Sequence, residues 1–423
     1  MNGKQYLNGC DYLMLGFDYE LRRHGFAGNS CQMTLELESA IPASDLQDRL
    51  ATLAAHYPIL GAHPGGVVRP RWKMPRQTAP VPRVRVHRDE PTVRERICNE
   101  RLETSRGELV RFDLLERSGP GMTLVFTWSH ALMDAPGAEQ FLAQAGRTDL
   151  PLPEAQVDVV RRPRLSLPAR CRLAWKSIHH LDRFCEAAPR SLGSRHVRAP
   201  ARLRHQVEKF SVSETERVRA NGVRLCGMLG DAQFHAAVAM LELHALHQRL
   251  GRKSPSYVLP LPVGLRPKGS AGLLFSNQVA MLMLQFLPEH LDSAATTVAA
   301  IKAQTEKAMR AGLLESGVVL SELFRFLPLP IYMAILKQGL RGEICSIFYG
   351  DTAAVNPLLT SFMGVTVNDL THVAAVTPSP GIGVIFYYFR AELRVTVLHS
   401  AKILNDAEAA GFAAGLRARL LNP

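Results

Sequence analysis

The stretch Thr127–Leu142, TWSHALMDAPGAEQFL, sets His130 at the end of an apolar run, with Asp134 four residues on and Gly137 three beyond that. Three chemistries fit such a pair. Two ligands at i and i+4 on a helix could hold a metal, but Pro136 makes the segment a poor helix until past that point and no third ligand lies nearby. A buried histidine satisfied by its neighbours is the structural alternative. The third is a general base, since an imidazole titrates near neutrality. The run before it, Met122–Trp128, is rich in β-branched and aromatic residues and reads as a strand. The run from Gly137 through Leu142 reads as the start of a helix. His130 is thus expected where a strand gives way to a loop, a position from which a rigid scaffold can present a side chain to a cleft.

A chain of 423 residues predicts two domains of roughly 200 residues each. An apolar content of 47% with 21% charged residues is that of a soluble globular protein. The net charge of +12 suggests an anionic partner: nucleic acid, an acidic lipid surface or a phosphate-bearing small molecule. Most of that charge is local. Within 161–206, eleven Arg and one Lys against Asp182 and Glu186 leave +10. The seven cysteines, an odd number with no C-x-x-C pair, argue against a disulfide framework and fit a reducing, cytoplasmic setting. No secretory signal is evident at the N-terminus. The apolar runs Ala271–Pro288 and Phe326–Leu336 are interrupted or short, whereas a spanning helix needs about 20 apolar residues.

Strand and helix signals alternate on both sides of the basic stretch, predicting an N-terminal lobe over 1–160, a connector over 161–206 and a C-terminal lobe over 207–423. Gln32–Ser39 alternates as a strand. Ser44–Pro58 reads as a helix opened by a capping box of Ser44 and Gln47, and Pro91–Ser105 as another with proline at its start. In the connector, Cys171, Ala174, Trp175, Ile178, Leu181, Phe184, Cys185 and Ala188 fall on one half of a helix, and Arg172, Lys176, His179 and Arg183 on the other. This is either a helix packed on a domain with a solvated basic face, or an amphipathic helix resting on an anionic membrane. No recognised nucleic-acid module surrounds it, so no nucleic-acid partner is expected. Farther on, Ser213 and Glu216 suggest a capping box for a helix ending at Gly222, followed by a long apolar helix Asp231–Leu250 and strands at Gly383–Phe389 and Glu392–Ser400. Leu323–Leu336, LFRFLPLPIYMAIL, is either core or an apolar entrance or membrane-contacting lip.

SHALMDAPGAEQFL resembles the HHxxxDG signature of the condensation-domain and CoA-dependent acyltransferase superfamily, which includes chloramphenicol acetyltransferase, plant acyltransferases and wax ester synthases. Further segments resemble that superfamily in the expected order: Gly107–Arg117 before the signature, LPVGLRP at Leu261–Pro267, FSNQVAMLMLQFLP at Phe275–Pro288, TSFMG at Thr360–Gly364, and the last strand pair over Pro380–Ser400. Two positions depart from it: Ser129 stands for the first His, and Ala135 for the Gly, with Gly137 two positions later. The resemblance implies an α/β (α+β) fold of two chloramphenicol acetyltransferase-like lobes with mixed sheets and a channel between them, with His130 at its middle. It implies an acyltransferase that moves an acyl group from an acyl-CoA or acyl-carrier thioester to a hydroxyl or, less readily, an amino group. His130 is then the general base, Asp134 a brace paired with Arg266, and Gly137 part of the turn. Asn277 would bond a backbone loop or line the channel. Thr360 and Ser361 would donate to the oxyanion or bond their own backbone. No metal and no redox cofactor are expected. The expected partners are a small-molecule acyl donor and acceptor, an acyl carrier protein and an anionic membrane surface. The altered signature keeps a non-catalytic, partner-binding protein as the alternative.

Other clusters carry less. HHLD at His179–Asp182 has the wrong spacing, Cys171, His179, His180 and Cys185 do not match zinc-finger spacing, and His244 and His247 decorate a helix. There is no P-loop, no G-x-G-x-x-G after a strand and no G-x-S-x-G.

Overall fold

The computed structural model describes residues 5–66, 70–76, 79–154, 165–193, 202–228, 230–267 and 274–423. Parts of the basic connector and the first residues of the Ala271 run lie outside the described residues. The fold is built on two mixed sheets. The first has six strands, in the order Ser361–Phe362, Val365–Val373, Ser30–Leu37, Met122–Ser129, Val110–Glu116, Val84–Arg88. Only its last pair is parallel. The second has four, in the order Phe348–Ala354, Ile382–Phe389, Glu392–Ser400, Leu203–Lys209, with the first pair parallel. A separate antiparallel pair, Tyr257–Gly264 with Val279–Phe286, is stitched beside the second sheet by Ser346 N–H donating to Val258 O at 2.8 Å.

Met122–Ser129 is buried at every position, which is why an unbroken apolar run folds here as a central strand. Its Phe126 and Trp128 join Phe141, Leu46 and Leu50, from the helices Ala135–Gly146 and Ala43–His56, in one core. A second core gathers Phe386 and Val395 of the four-stranded sheet with Phe234 and Val238 of the helix Asp231–Arg249 and Phe412 of the closing helix Asp406–Leu421. The Asp231 helix carries apolar residues nearly all round because sheet and helices cover it on several sides.

The sheets do not divide where composition does. Val365–Val373, from the C-terminal half, lies against Ser30–Leu37 with Thr34 opposite Thr371, so a boundary at 207 separates the chain in sequence while the first sheet draws strands from both sides of it.

Four helical details differ from the sequence reading. The helix Ala43–His56 has Pro42 at its N-cap, not Ser44; Gln47 instead spans outward, its amide donating to Pro82 O at 3.1 Å and its carbonyl accepting from Val84 N at 3.2 Å. The capping box near residue 213 is formed two residues earlier, by Ser211 and Glu214, because SVSETE offers two overlapping S-x-x-E frames. That helix passes Gly222, where an added Cβ would lie 3.5 Å from the Phe234 ring, and stops at Gly227, whose φ of +85° suits a helix terminus. The connector helix, Leu167–Asp182, buries Ala174 and Ser177 against the helix Leu313–Phe324, leaving Trp175 67% and Leu167 65% exposed. Small side chains allow that close approach, so the packed side is rotated away from the one the apolar residues define.

Candidate active site

His130 begins the loop after Met122–Ser129, and its backbone is fixed on several sides. Ser129 N–H donates to Leu109 O at 2.8 Å, His130 N–H to Asn29 O at 3.0 Å, and Leu132 N–H back to Ser129 O at 2.9 Å. The Trp128 indole donates to Met133 O at 3.1 Å, folding the loop onto the core. From the other half of the chain, the Asn277 amide donates to His130 O at 2.8 Å.

Asp134 caps the helix Ala135–Gly146. Its Oδ1 accepts from Gly137 N–H at 3.0 Å and from Arg266 Nη2 at 2.5 Å, and its Oδ2 accepts from Gln278 N–H at 2.9 Å. The helix therefore starts at Ala135, ahead of the Gly137 the sequence suggests. Pro136 sits comfortably in a first turn, where a missing N–H leaves nothing unsatisfied. Gly137 is needed there, because a Cβ would lie 2.5 Å from Leu274 O.

Asn277 is held in turn by Asp11, whose Oδ1 accepts from its backbone N–H at 2.8 Å and its side-chain amide at 2.9 Å. Asp11 belongs to the capping box that opens the helix Gly9–Arg23, together with Asn8, whose own amide donates to Asn277 O at 3.1 Å. Three segments far apart in sequence thus converge on the His130 loop.

Thr360 and Ser361 are not brought to this site. Thr360 Oγ1 donates to Pro357 O at 2.9 Å, Ser361 pairs opposite Thr366 at a sheet edge, and neither borders the cavities described next. A hydroxyl at the end of a short turn finds its own backbone first.

His130 lines a cavity of 190 Å³ with Met14, Trp128, Tyr349, Thr352 and His372. Burial pushes its imidazole below the usual value; the carbonyls of His130 and Met133, the Asp134 carboxylate and the Asn277 amide act in the opposite direction but do not cancel it. Its Nδ1 makes no well-aligned hydrogen bond, and neither do Thr352 Oγ1 and His372 Nε2 on the same cavity wall. His372 Nε2 stands 3.2 Å from Glu139 Oε1, at ion-pair distance without hydrogen-bond alignment. Sequence reasoning missed His372 and Thr352. The one available signal was Glu139, inside the opening motif, whose side chain reaches across the helix to that histidine.

A second, larger cavity of 570 Å³ adjoins the first, and Phe17, Met281, Phe348 and Tyr349 border both. Phe17 and Phe348 meet edge to face, with ring centroids 5.7 Å apart. Asn277 and Gln278 lie on its wall, so the residues that hold the His130 loop also face this space.

Of the other clusters, Cys171 and His179 face solvent, the Cys185 thiol donates to Gly339 O, and no disulfide joins any of the cysteines. His247 is buried, which pushes its pKa down to about 4. Among the described residues, no group of three or more His, Cys, Asp or Glu is arranged to hold a metal ion, and no helix is long and apolar enough to cross a membrane.

No family model matches the chain, and no curated protein does. Solved structures do. The first condensation domain of the calcium-dependent antibiotic synthetase, in complex with a substrate analogue, is similar at a TM-score of 0.72 and 15% identity, covering 100% of this chain and 98% of that one. The TRI3 trichothecene 15-O-acetyltransferase from Fusarium sporotrichioides is similar at a TM-score of 0.70 and 12% identity, covering 99% and 95%. The starter condensation domain of rhizomide synthetase, in a mutant form in complex with C8-CoA and Leu-SNAC, is similar at a TM-score of 0.64 and 13% identity, covering 99% and 94%. At such identities the likeness is one of fold, and it runs the length of the chain.

Proposed function

We propose that this chain, which has the fold of condensation domains and of a trichothecene acetyltransferase, is an acyltransferase that moves an acyl group from a thioester, on CoA or a carrier protein, to a hydroxyl. An amine is the less favoured acceptor. The observation that carries the reading is His130: an imidazole on a cavity wall, its loop pinned from both halves of the chain, its pKa lowered by burial. A neutral imidazole takes the acceptor's proton as the acceptor oxygen bonds to the thioester carbon. The tetrahedral intermediate then collapses, the C–S bond breaks, and the imidazolium returns its proton to the leaving sulfur. No covalent acyl-enzyme is needed. Asp134 is the brace, its two oxygens already engaged by Arg266, Gly137 and Gln278, so it is not the proton carrier.

Asn277 acts by holding the His130 carbonyl, with Asp11 behind it. Thr352 Oγ1, and His372 Nε2 beside Glu139, make no hydrogen bond in the fold and are the polar groups nearest to serve the acyl carbonyl or the acceptor. The exposed Trp175 and Leu167, beside Arg172 and Lys176 on the connector helix, support contact with an anionic membrane surface.

The test is release of free thiol from a panel of acyl-CoAs offered with alcohols and amines, with the ester or amide identified by mass spectrometry. Acceptor-dependent thiol release is the expected result. No release across the panel, from folded protein, would favour the non-catalytic alternative.

A further inference from the structure

The 570 Å³ cavity is larger than the reaction chemistry requires, and its wall has a consistent character. Along the strand Val279–Phe286 burial alternates: Leu282 and Leu284 join the second core, while Val279, Met281 and Met283 remain only partly covered and border the cavity together with Ala280 and Leu282. Opposite stand Leu313, Gly317 and Leu320 of the helix Leu313–Phe324, and Tyr332, Ile335 and Leu336 of the helix Leu329–Gln338. Methionines and aliphatic side chains make an adaptable apolar surface.

Several polar groups on this wall are engaged in the fold. The Glu322 carboxylate accepts from Gly9 N–H at 2.6 Å, Ser321 Oγ donates to Val318 O at 2.8 Å, Gln278 Nε2 donates to Ser276 Oγ at 2.7 Å, and the Cys185 thiol donates to Gly339 O. Burial pushes His180 below the usual imidazole value, so it is neutral near pH 7. Asp182 lies at an exposed position. A volume in the range of small-molecule sites, with an apolar lining and few free polar groups, suits an apolar ligand. The border shared with the His130 cavity at Phe17, Met281, Phe348 and Tyr349 sets one end of that ligand beside the reaction centre.

We propose that this chamber binds a long unbranched alkyl chain of the substrate. The inference rests on the acyltransferase reading for its orientation, with the reactive end of the chain toward His130. The chain could belong to the acyl donor or to a fatty-alcohol acceptor; the chemistry of the tail is the same.

Gly317 supplies the probe. Gly317 borders the cavity, and a Cβ added there meets only Ser177 Oγ, at 3.9 Å, so a side chain can be introduced at this wall with no clash at Cβ. Thiol release would be followed for Gly317→Phe, and for the milder Gly317→Leu should the first fail to fold, each beside the parent. One arm varies the acyl-CoA from acetyl to stearoyl with a short alcohol. The other varies the alcohol from ethanol to hexadecanol with acetyl-CoA. Each buried methylene is worth about fourfold in affinity. The ratio of long-chain to short-chain kcat/KM should therefore fall by about 10- to 100-fold in the substituted protein, in the arm whose substrate fills the chamber. Binding of cis-parinaric acid, read by its fluorescence without turnover, separates this inference from the activity. Parinarate that binds the parent, is displaced by hexadecanol and binds the Gly317 variant more weakly upholds the chamber even if no transferase activity is found. Folded variants with unchanged chain-length profiles and unchanged parinarate binding would overturn it. So would displacement of parinarate by cholesterol as effective as that by hexadecanol, since a polycycle would not fit a chamber for an unbranched chain.

Discussion

His130 carries the residue-scale predictions. His130→Ala should lower kcat by about 10²–10⁴-fold with the fold intact by circular dichroism, while Ser129→Ala should be mild. A folded His130→Ala protein with near-parental kcat would sink the mechanism. Because burial lowers the imidazole pKa, the neutral base persists to more acidic pH than a free histidine would allow. Activity should be present above the folded-state pKa and lost as pH falls through it, with the acid limb of kcat/KM below about 6.5. A limb above that value would mean a different group governs the profile. Asp134→Asn keeps an acceptor for the Gly137 N–H but loses the charge opposite Arg266, whereas Asp134→Ala loses both, so the alanine variant should melt earlier by about 1 kcal/mol more. The motif, and Arg266 with it, could be read from the chain because its spacing resembles the HHxxxDG signature. Asp11 could not. It lies 266 positions from Asn277, and a polar group that finds its partner at such range leaves no periodicity behind it. The same holds for His372 and Thr352.

At the scale of elements, two glycines in helices should respond oppositely to alanine. Gly137 faces Leu274 O so closely that a Cβ would force the helix Ala135–Gly146 away from the segment carrying Gln278. Gly137→Ala should therefore cost about 1–3 kcal/mol despite alanine's better helix propensity. Gly411, in the closing helix, has nothing within 4 Å of where its Cβ would be. Gly411→Ala should stabilise by about 0.5–1 kcal/mol. Thermal melts of the two variants check both signs, and a stabilised Gly137→Ala would refute the close approach. Strands such as Met122–Ser129 were legible because alternation and continuous burial both leave a pattern in residue type. Helix starts were less so: SVSETE satisfies one rule in two frames, Pro42 takes the cap position expected of Ser44, and Asp134 opens its helix at Ala135, two residues before Gly137. The packed side of the connector helix differs from its apolar side for a physical reason. Hydrophobicity says which residues gain from burial, but the close packing of Ala174 and Ser177 decided which side was covered.

On the scale of the whole molecule, the exposed Trp175 makes a membrane contact testable. The protein should bind phosphatidylglycerol vesicles in preference to phosphatidylcholine and release as salt rises, because surface attraction is screened. Arg172→Ala and Lys176→Ala should each weaken binding by about fivefold. Equal binding to both vesicles, or to neither, would leave the helix as ordinary packing. The sequence predicted two lobes, yet nothing in it marks Val365–Val373 as a strand of the first sheet, since pairing between distant strands is set by register and not by composition. That crossing decides where the chain can be cut. A fragment ending at 206 would lack the strand that covers one side of Ser30–Leu37, and its bare N–H and C=O groups would be free to template pairing with other copies. The isolated first half should aggregate, while the two halves made together should reassemble around that seam and recover a soluble particle. The halves behave as a clasp, closed by a tongue from one side lying inside the weave of the other.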